Sequence, residues 1–264
     1  MARMQPASLE EAYGKGWTAD DPTPGESRFF LFCRDCLKPD AEFAVWFQPL
    51  LFSKEATHKP DFVVYHPAAG LIVAEVKDWR IAEIAEISPT TVEFLDGKSP
   101  RTNPLRQVEA HVSALRDRLR EAGLVATGAH HGSPLLPISA LAVFPYITRH
   151  QYEAVKFHQV VPTDRIVFGD ELTAAAAGQG KNLLLSKVQE RLRFKPPALN
   201  ARDLTKLDTA IWPSRRIALP VRRGAGKWHF QAEVNHLDAL QGRVAYRLEH
   251  GHCLLKGGAA RARR

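Results

Sequence analysis

Residues 58–79 read HKPDFVVYHPAAGLIVAEVKDW, and their pattern is the most informative in the chain about its fold. Two runs rich in β-branched and aromatic residues, 61–65 and 71–77, are separated by HPAAG, a connection whose length suits a β-hairpin. If Tyr65 pairs with Leu71 across that loop, the antiparallel register places Asp61 opposite Glu75. The hairpin therefore brings two carboxylates to the same level of adjacent strands.

Two carboxylates at facing positions need a cation between them. Facing residues have Cβ atoms about 4.5–5.5 Å apart, and like charges at that distance destabilise the pair. Because side chains alternate along a strand, Glu75 and Lys77 share the face of Asp61, whereas Val76 points to the other face. Carboxylate oxygens suit Mg²⁺, and an adjacent ammonium can orient or deprotonate a water and stabilise negative charge on phosphorus. The alternative for Lys77 is a strand-end lysine that blunts a sheet edge.

Periodicity on either side of the hairpin predicts an α/β fold. We expect a small mixed sheet of about four to six strands, flanked by helices on both faces, in the order helix, three strands, helix, strand. Helices are predicted at 26–37, 105–119 and 183–193, and further strands at 43–52, 91–95, 135–146 and 165–168. Asp96-Gly97-Lys98 also has an acidic-x-lysine spacing, but Asp-Gly is typical of a hairpin turn.

Proline and glycine divide the chain into three parts. Residues 1–22 are polar and interrupted by both, which predicts a flexible lead-in. Residues 23–195 carry the predicted α/β domain, and Lys195-Pro196-Pro197 ends its last helix. Residues 196–264 form a less ordered basic region with a strand-like run at 216–221 and a helix-like run at 237–248.

The composition narrows the class of protein. The 264 residues are 45% hydrophobic, and they contain neither a long apolar run nor a secretory signal, which predicts a cytoplasmic protein without a membrane anchor. The net charge of +7, concentrated after residue 200, favours anionic partners such as nucleic acid. The three cysteines offer no disulfide framework and no zinc set, so we interpret Cys33 and Cys36 as ordinary helix residues.

The motif of Asp61 followed by Glu75-Val76-Lys77 resembles the signature of the PD-(D/E)XK nuclease superfamily. Together with PGESRFF at 24–30 and NPLRQVEAHVSALRDRL at 103–119, the hairpin resembles the NERD, or nuclease-related, domain over residues 23–146. The resemblance implies a restriction-endonuclease-like fold. It also implies a Mg²⁺- or Mn²⁺-dependent nuclease that acts on DNA in processing or repair.

The resemblance also assigns roles to individual residues. Asp61 and Glu75 match the metal-binding carboxylates, the Val76 carbonyl matches a further metal ligand, and Lys77 matches the catalytic lysine. Glu26 matches the acidic residue of the first helix, and Gln107 matches a glutamine that holds the site or the substrate backbone.

Glu26 and Gln107, the two site candidates on predicted helices, also have structural interpretations. A glutamate in the first turn is favoured by the helix dipole, so Glu26 can be a capping charge, and Gln107 can be a solvated helix residue. Trp79 and Arg80 could contact a nucleic-acid backbone, although a core position is the favoured interpretation of Trp79.

The complete Asp61, Glu75 and Lys77 set favours an enzyme over two other classes. A catalytically idle nucleic-acid-binding or docking module would not need facing carboxylates beside an anionic ligand. A domain that recruits a protein partner has no sequence feature in its favour. The sequence does not reveal the oligomeric state.

The C-terminal run at 219–257 resembles the passage between a NERD domain and a superfamily I helicase, where Gln241 would precede a phosphate-binding loop. The chain ends in GGAARARR instead of GxxxxGK[ST], so we expect no ATP hydrolysis. A shifted reading frame over residues 259–264 can encode Gly-Ser-Gly-Lys-Thr. We therefore hypothesise a frameshifted phosphate loop and a truncated helicase, which would make a helicase or its fragment a partner.

Overall fold

The computed structural model of the protein describes residues 3–10, 22–37, 42–52, 57–127, 131–179, 182–212, 215–219 and 230–234. The chain divides into two units, 1–212 and 213–264. None of the described helices is long and apolar enough to cross a bilayer.

The described strands are β1 (Arg3–Gln5), β2 (Ala44–Phe47), β3 (Leu51–Phe52), β4 (Thr57–His58), β5 (Phe62–His66), β6 (Gly70–Val76), β7 (Ile84–Ile87), β8 (Thr91–Phe94), β9 (Arg101–Thr102), β10 (Ile138–Phe144), β11 (Ile166–Phe168), β12 (Arg215–Leu219) and β13 (Phe230–Val234). The described α-helices are α1 (Pro24–Cys36), α2 (Pro104–Glu121), α3 (Arg149–Ala154), α4 (Gly169–Ala174), α5 (Leu183–Gln189) and α6 (Ala201–Ile211). A π-helical turn follows α4 at Ala175–Gln179, and 3-10 turns lie at Ile81–Glu83, Phe157–Gln159 and Thr163–Arg165.

A six-stranded mixed sheet forms the centre of the first unit, in the order β1-β2-β5-β6-β10-β11. The middle pairs, β2 with β5 and β5 with β6, are antiparallel, and the outer pairs are parallel. Tyr65 faces Leu71 and Phe62 faces Ala74, which confirms the predicted hairpin register. The α/β prediction with a small mixed sheet is confirmed.

Helix α1 covers one face of the sheet. Thr23 and Glu26 form a capping box at its start, and Pro24 occupies the first turn, where no backbone donor is needed. The buried face of the helix carries Phe29 and Cys33, which join one core cluster with the β5 and β6 side chains that point the same way. Cys33 and Cys36 are free thiols on this helix, as the sequence predicts.

Helix α2 covers the opposite face. The Asn103 side chain caps it, and apolar residues at helical spacing, including Val108 and Leu115, pack with Val63 and Val73 of the hairpin. Alternate residues of the hairpin thus point into two different helix layers. The prediction of helices on both faces is confirmed.

The predicted strand over 43–52 is wrong in its middle. Strand β2 ends at Phe47, and Gln48 adopts the left-handed conformation with φ of 49°. The Gln48 N–H donates to the Asp61 carbonyl at 2.8 Å, which turns the chain away before β3 pairs with β4. The bend brings the Gln48 side chain to the end of the central hairpin.

The predicted strand at 91–95 forms β8 of a separate sheet. Strands β7, β8 and β9 pair antiparallel in an insertion between β6 and α2, because β10 already occupies the free edge of β6. Trp79 joins the insertion to the main core: its ring lies 5.2 Å from Phe94 and 5.8 Å from Phe144. This is the predicted core position for Trp79.

Ordered elements lie on both sides of the predicted domain at residues 23–195. Within the predicted flexible lead-in, Arg3–Gln5 pairs in parallel with β2, whose outer edge would otherwise be unpaired. Beyond the predicted boundary at residue 195, α6 buries Leu207 and Ile211 in the core cluster of α2, and the first unit extends to Trp212.

In the second unit β12 and β13 form an antiparallel pair. The helix predicted at 237–248 and the hypothesised phosphate loop lie outside the described residues.

Candidate active site

The two hairpin carboxylates meet where β5 begins and β6 ends. Continuing the β5–β6 ladder by one pair places Asp61 opposite Glu75. The Asp61 Oδ2 atom accepts a hydrogen bond from the Val76 N–H at 2.7 Å, which fixes the carboxylate across the strand end. Glu75 is only 2% exposed, an unusual burial for a glutamate.

Lys77 and Gln107 hold Glu75 from two directions. The Lys77 Nζ atom lies 2.7 Å from Glu75 Oε1, and the Gln107 amide donates to the same oxygen. The Lys77 backbone N–H donates to the Val143 carbonyl at 2.9 Å, so the lysine starts from a fixed strand position. Lys77 therefore shares the face of Glu75, as strand alternation predicts, and Gln107 contacts the site instead of pointing into solvent.

Glu26 reaches the site from α1. Its Oε2 atom accepts from the Thr23 N–H at 2.8 Å and from the Gln48 amide at 3.3 Å. The capping interpretation of Glu26 is thus confirmed. The same side chain also raises the pKa of Asp61, so it belongs to the electrostatic environment of the hairpin carboxylates as well.

The site concentrates negative charge. Burial, followed by the carboxylates of Glu75 and Glu26, holds the pKa of Asp61 well above its ordinary value of 3.8. The Val76 N–H and the Lys77 ammonium oppose this rise only in part. Three carboxylates against one ammonium make a position where a further cation is electrostatically favoured.

The donor set fits a divalent cation of the magnesium type. Magnesium retains several waters and needs only one or two protein carboxylates, so it does not require a cage of side chains. Within the described residues, no group of three or more His, Cys, Asp or Glu side chains is arranged to hold a metal. Asp61 and Glu75 with the Val76 carbonyl make a smaller set, and Glu75 Oε2 is buried without a hydrogen-bond partner in the described structure.

His111 is a site residue that the sequence analysis missed. Its Nε2 atom lies 3.4 Å from Glu75 Oε2, and the imidazole is buried, with neither ring nitrogen hydrogen-bonded to a described residue. The His58 ring packs edge-on against it at 5.8 Å. A signal was present in the sequence, because His111 lies four residues after Gln107 and must share its helix face.

Asp78 is a second missed residue, with a structural role at the start of α1. Its Oδ2 atom accepts from the Gly25 N–H at 3.0 Å, and its Oδ1 atom accepts from the Thr23 hydroxyl at 3.1 Å. The residue immediately after Lys77 thus ties the end of the hairpin to the helix that carries Glu26.

An open cleft of about 710 Å³ leads to this cluster. Arg80 stands outside its lining and places its guanidinium 5.4 Å from the Tyr146 ring centre. The lining residues come from the start of α1, the end of the hairpin and the β7–β9 insertion: Thr23, Glu26, Asp61, Val76, Lys77, Asp78, Trp79, Ala82, Glu83, Phe94, Leu95, Asp96 and Arg101. The cleft can admit a ligand to Asp61 and Lys77.

Comparison with known proteins identifies the segment that carries this site. Residues 22–145 match the family model described as the nuclease-related domain, NERD. No curated protein and no solved structure matches the chain. The matched segment includes α1, the hairpin, the insertion, α2 and all of β10. The chain therefore carries, at residues 22–145, a nuclease-related (NERD) domain, whose general home is the PD-(D/E)XK superfamily.

Proposed function

We propose that this protein is a metal-dependent phosphodiesterase that hydrolyses DNA in processing or repair. One observation carries the proposal: Asp61, Glu75 and Lys77 converge at the end of the hairpin, beside an open cleft within the nuclease-related domain. The arrangement combines a carboxylate pair, which attracts a cation, with an ammonium, which attracts a phosphate.

Asp61, Glu75 and the Val76 carbonyl would hold Mg²⁺ or Mn²⁺. When bound there, a divalent cation supplies positive charge at the scissile phosphate and lowers the pKa of the attacking water. Asp61 starts from a defined orientation, because the Val76 N–H fixes one of its oxygens.

Lys77 lies in the cleft wall, where its ammonium can donate to a phosphate oxygen and stabilise the charge that develops on phosphorus. Gln107 and Lys77 both donate to Glu75 Oε1, and among the described residues none donates a hydrogen bond to Oε2. Glu26 holds the start of α1, which also lines the cleft, through the cap. In the hydrolysis, a water molecule gives up one proton as its oxygen bonds to phosphorus, the ester P–O bond breaks, and the leaving oxygen takes up one proton.

The proposal is tested by incubating the purified chain with supercoiled plasmid, linear duplex and single-stranded DNA in Mg²⁺ or Mn²⁺. We expect cleavage that a chelator stops and that Lys77→Ala lowers by about a hundredfold or more. Lys98→Ala is the matched control, because Lys98 follows Asp96 with the same spacing but lies on an exposed turn. It should cleave within about twofold of the parent.

The outcomes separate the proposed enzyme from the idle module. Cleavage that survives both the chelator and Lys77→Ala would refute the proposed site. Salt-sensitive DNA binding without cleavage in any metal would favour a nucleic-acid-binding module over an enzyme.

A further inference from the structure

The β7–β9 insertion contributes part of the cleft lining, and one of its lining residues is an exposed apolar side chain. Leu95, at the end of β8, is 70% exposed although it lines the cleft, and it is the most exposed of the large hydrophobic residues described. Phe94 lies beside it, with the Arg101 guanidinium 4.8 Å from its ring centre. The insertion thus offers the cleft an apolar surface next to one cation.

The charges of the cleft limit how many phosphates it can take. Two cations, Lys77 and Arg101, are present among its described lining residues. The acidic lining residues are Glu26, Asp61, Asp78, Glu83 and Asp96. Duplex DNA carries one charge per about 1.7 Å of axis, whereas each strand alone carries one per about 3.4 Å. A second strand would therefore bring its phosphates towards carboxylates that already outnumber the cations.

The exposed leucine needs an apolar partner that a duplex does not offer. In a duplex the base faces are stacked on one another, and the outer surface consists of sugar and phosphate. In a single strand the bases can leave the stack and lie against apolar or aromatic side chains. Leu95 lines the cleft and is exposed enough to receive a base, while Lys77 from the hairpin and Arg101 from the insertion line the same cleft and can receive the backbone.

We infer that the cleft binds single-stranded DNA, with a base against Leu95 and the adjoining phosphates between Arg101 and Lys77. The inference rests on the proposed function for the nucleic-acid nature of the ligand, and it adds the strandedness of the substrate and a residue that selects it. Leu95 is a specificity residue in this arrangement, since it contacts the base and not the scissile phosphate.

Binding without cleavage provides the test. The affinity of the full chain for a fluorescein-labelled oligothymidylate is compared with its affinity for the corresponding thymidylate–adenylate duplex by fluorescence anisotropy, in chelator and again in Ca²⁺. We expect the single strand to bind about tenfold more tightly, because one base packed on a side chain contributes on the order of 1–3 kcal/mol. Leu95→Ser should weaken single-strand binding by about fivefold and leave duplex binding unchanged, whereas Leu95→Phe should retain the preference.

Leu204→Ser is the matched control, because Leu204 is a 37% exposed leucine on α6 that does not line the cleft. It should bind both DNAs as the parent does. Equal affinity for the two DNAs, or a Leu95→Ser variant that binds like Leu204→Ser, would overturn the inference even if the chain cleaves DNA. Loss of binding in Leu95→Ser combined with an absence of cleavage in every metal would support the inference and refute the proposed hydrolysis.

Discussion

Replacing Asp61 by Asn should stabilise the metal-free protein while removing its response to metal. The substitution removes one of three clustered negative charges and keeps a side-chain oxygen that can accept from the Val76 N–H. Two unit charges about 5 Å apart, the spacing of facing strand residues, repel by about 3 kcal/mol at an effective dielectric constant near 20. Attraction to Lys77 offsets part of this, so we expect a net gain of about 1–2 kcal/mol at neutral pH.

The pH dependence has a definite sign. Because the pKa of Asp61 is raised in the folded state, the folded protein binds this proton more tightly than the unfolded chain does. The contribution of Asp61 to stability therefore falls as the pH rises from its ordinary pKa of 3.8 through the raised value. The advantage of Asp61→Asn should be greatest at neutral pH and should shrink as the pH approaches 3.8.

Thermal unfolding in chelator and in Mg²⁺ measures both effects. A gain of 1–2 kcal/mol corresponds to a melting temperature higher by roughly 2–8 °C for a unit of this size. Mg²⁺ should raise the melting temperature of the parent but not that of Asp61→Asn. Asp117→Asn is the control, because it removes only an exposed pair with Arg120. A melting temperature below that of Asp117→Asn would contradict charge repulsion at Asp61, and equal stabilisation of parent and Asp61→Asn by Mg²⁺ would exclude Asp61 as a metal ligand.

Three further substitutions test the site and its support. Glu75→Gln should weaken Mg²⁺ binding, measured by calorimetry, by about tenfold, because it removes a charged ligand. An unchanged Mg²⁺ affinity would exclude Glu75 from the metal site. Trp79→Ala should lower the free energy of unfolding in urea by about 3–5 kcal/mol, because the side chain is 4% exposed and lies between two aromatic rings. A decrease below about 1 kcal/mol would show that the insertion does not depend on Trp79. Gly70→Ala should lower the free energy of unfolding by at least about 1–3 kcal/mol, because Gly70 has φ of 72° and an added Cβ would lie 2.5 Å from the Pro137 carbonyl oxygen. A variant as stable as the parent would contradict this backbone geometry.

The hairpin could be predicted from the sequence because its determinants are local. The five-residue connection and the alternation of apolar residues fix the register, and a shift of one residue would turn Val63 and Val73 out of the core that α2 covers. The same local logic gave the amphipathic helices α1 and α2. Once the register is known, the proximity of Asp61, Glu75 and Lys77 follows from strand geometry.

The predictions that failed concern contacts between distant segments. Nothing in Arg3–Gln5 alone indicates a strand, because that segment is ordered by the open edge of β2. The break at Gln48 depends on the Asp61 carbonyl, and the burial of α6 depends on the apolar surface beside α2. A pattern of apolar and polar residues within a short stretch of sequence contains no information about such distant partners.

The class of fold, the two helix layers and the pairing of the hairpin carboxylates can all be predicted from the amino-acid sequence, because each follows from periodicity or from a short turn. The packing of helices and insertion placed His111 beside Glu75, Glu26 within electrostatic reach of Asp61, and Leu95 in the same cleft as Lys77. These juxtapositions depend on how α1, α2 and the insertion pack around the end of the sheet. Packing of that kind joins residues far apart in the chain, and no local spacing encodes it.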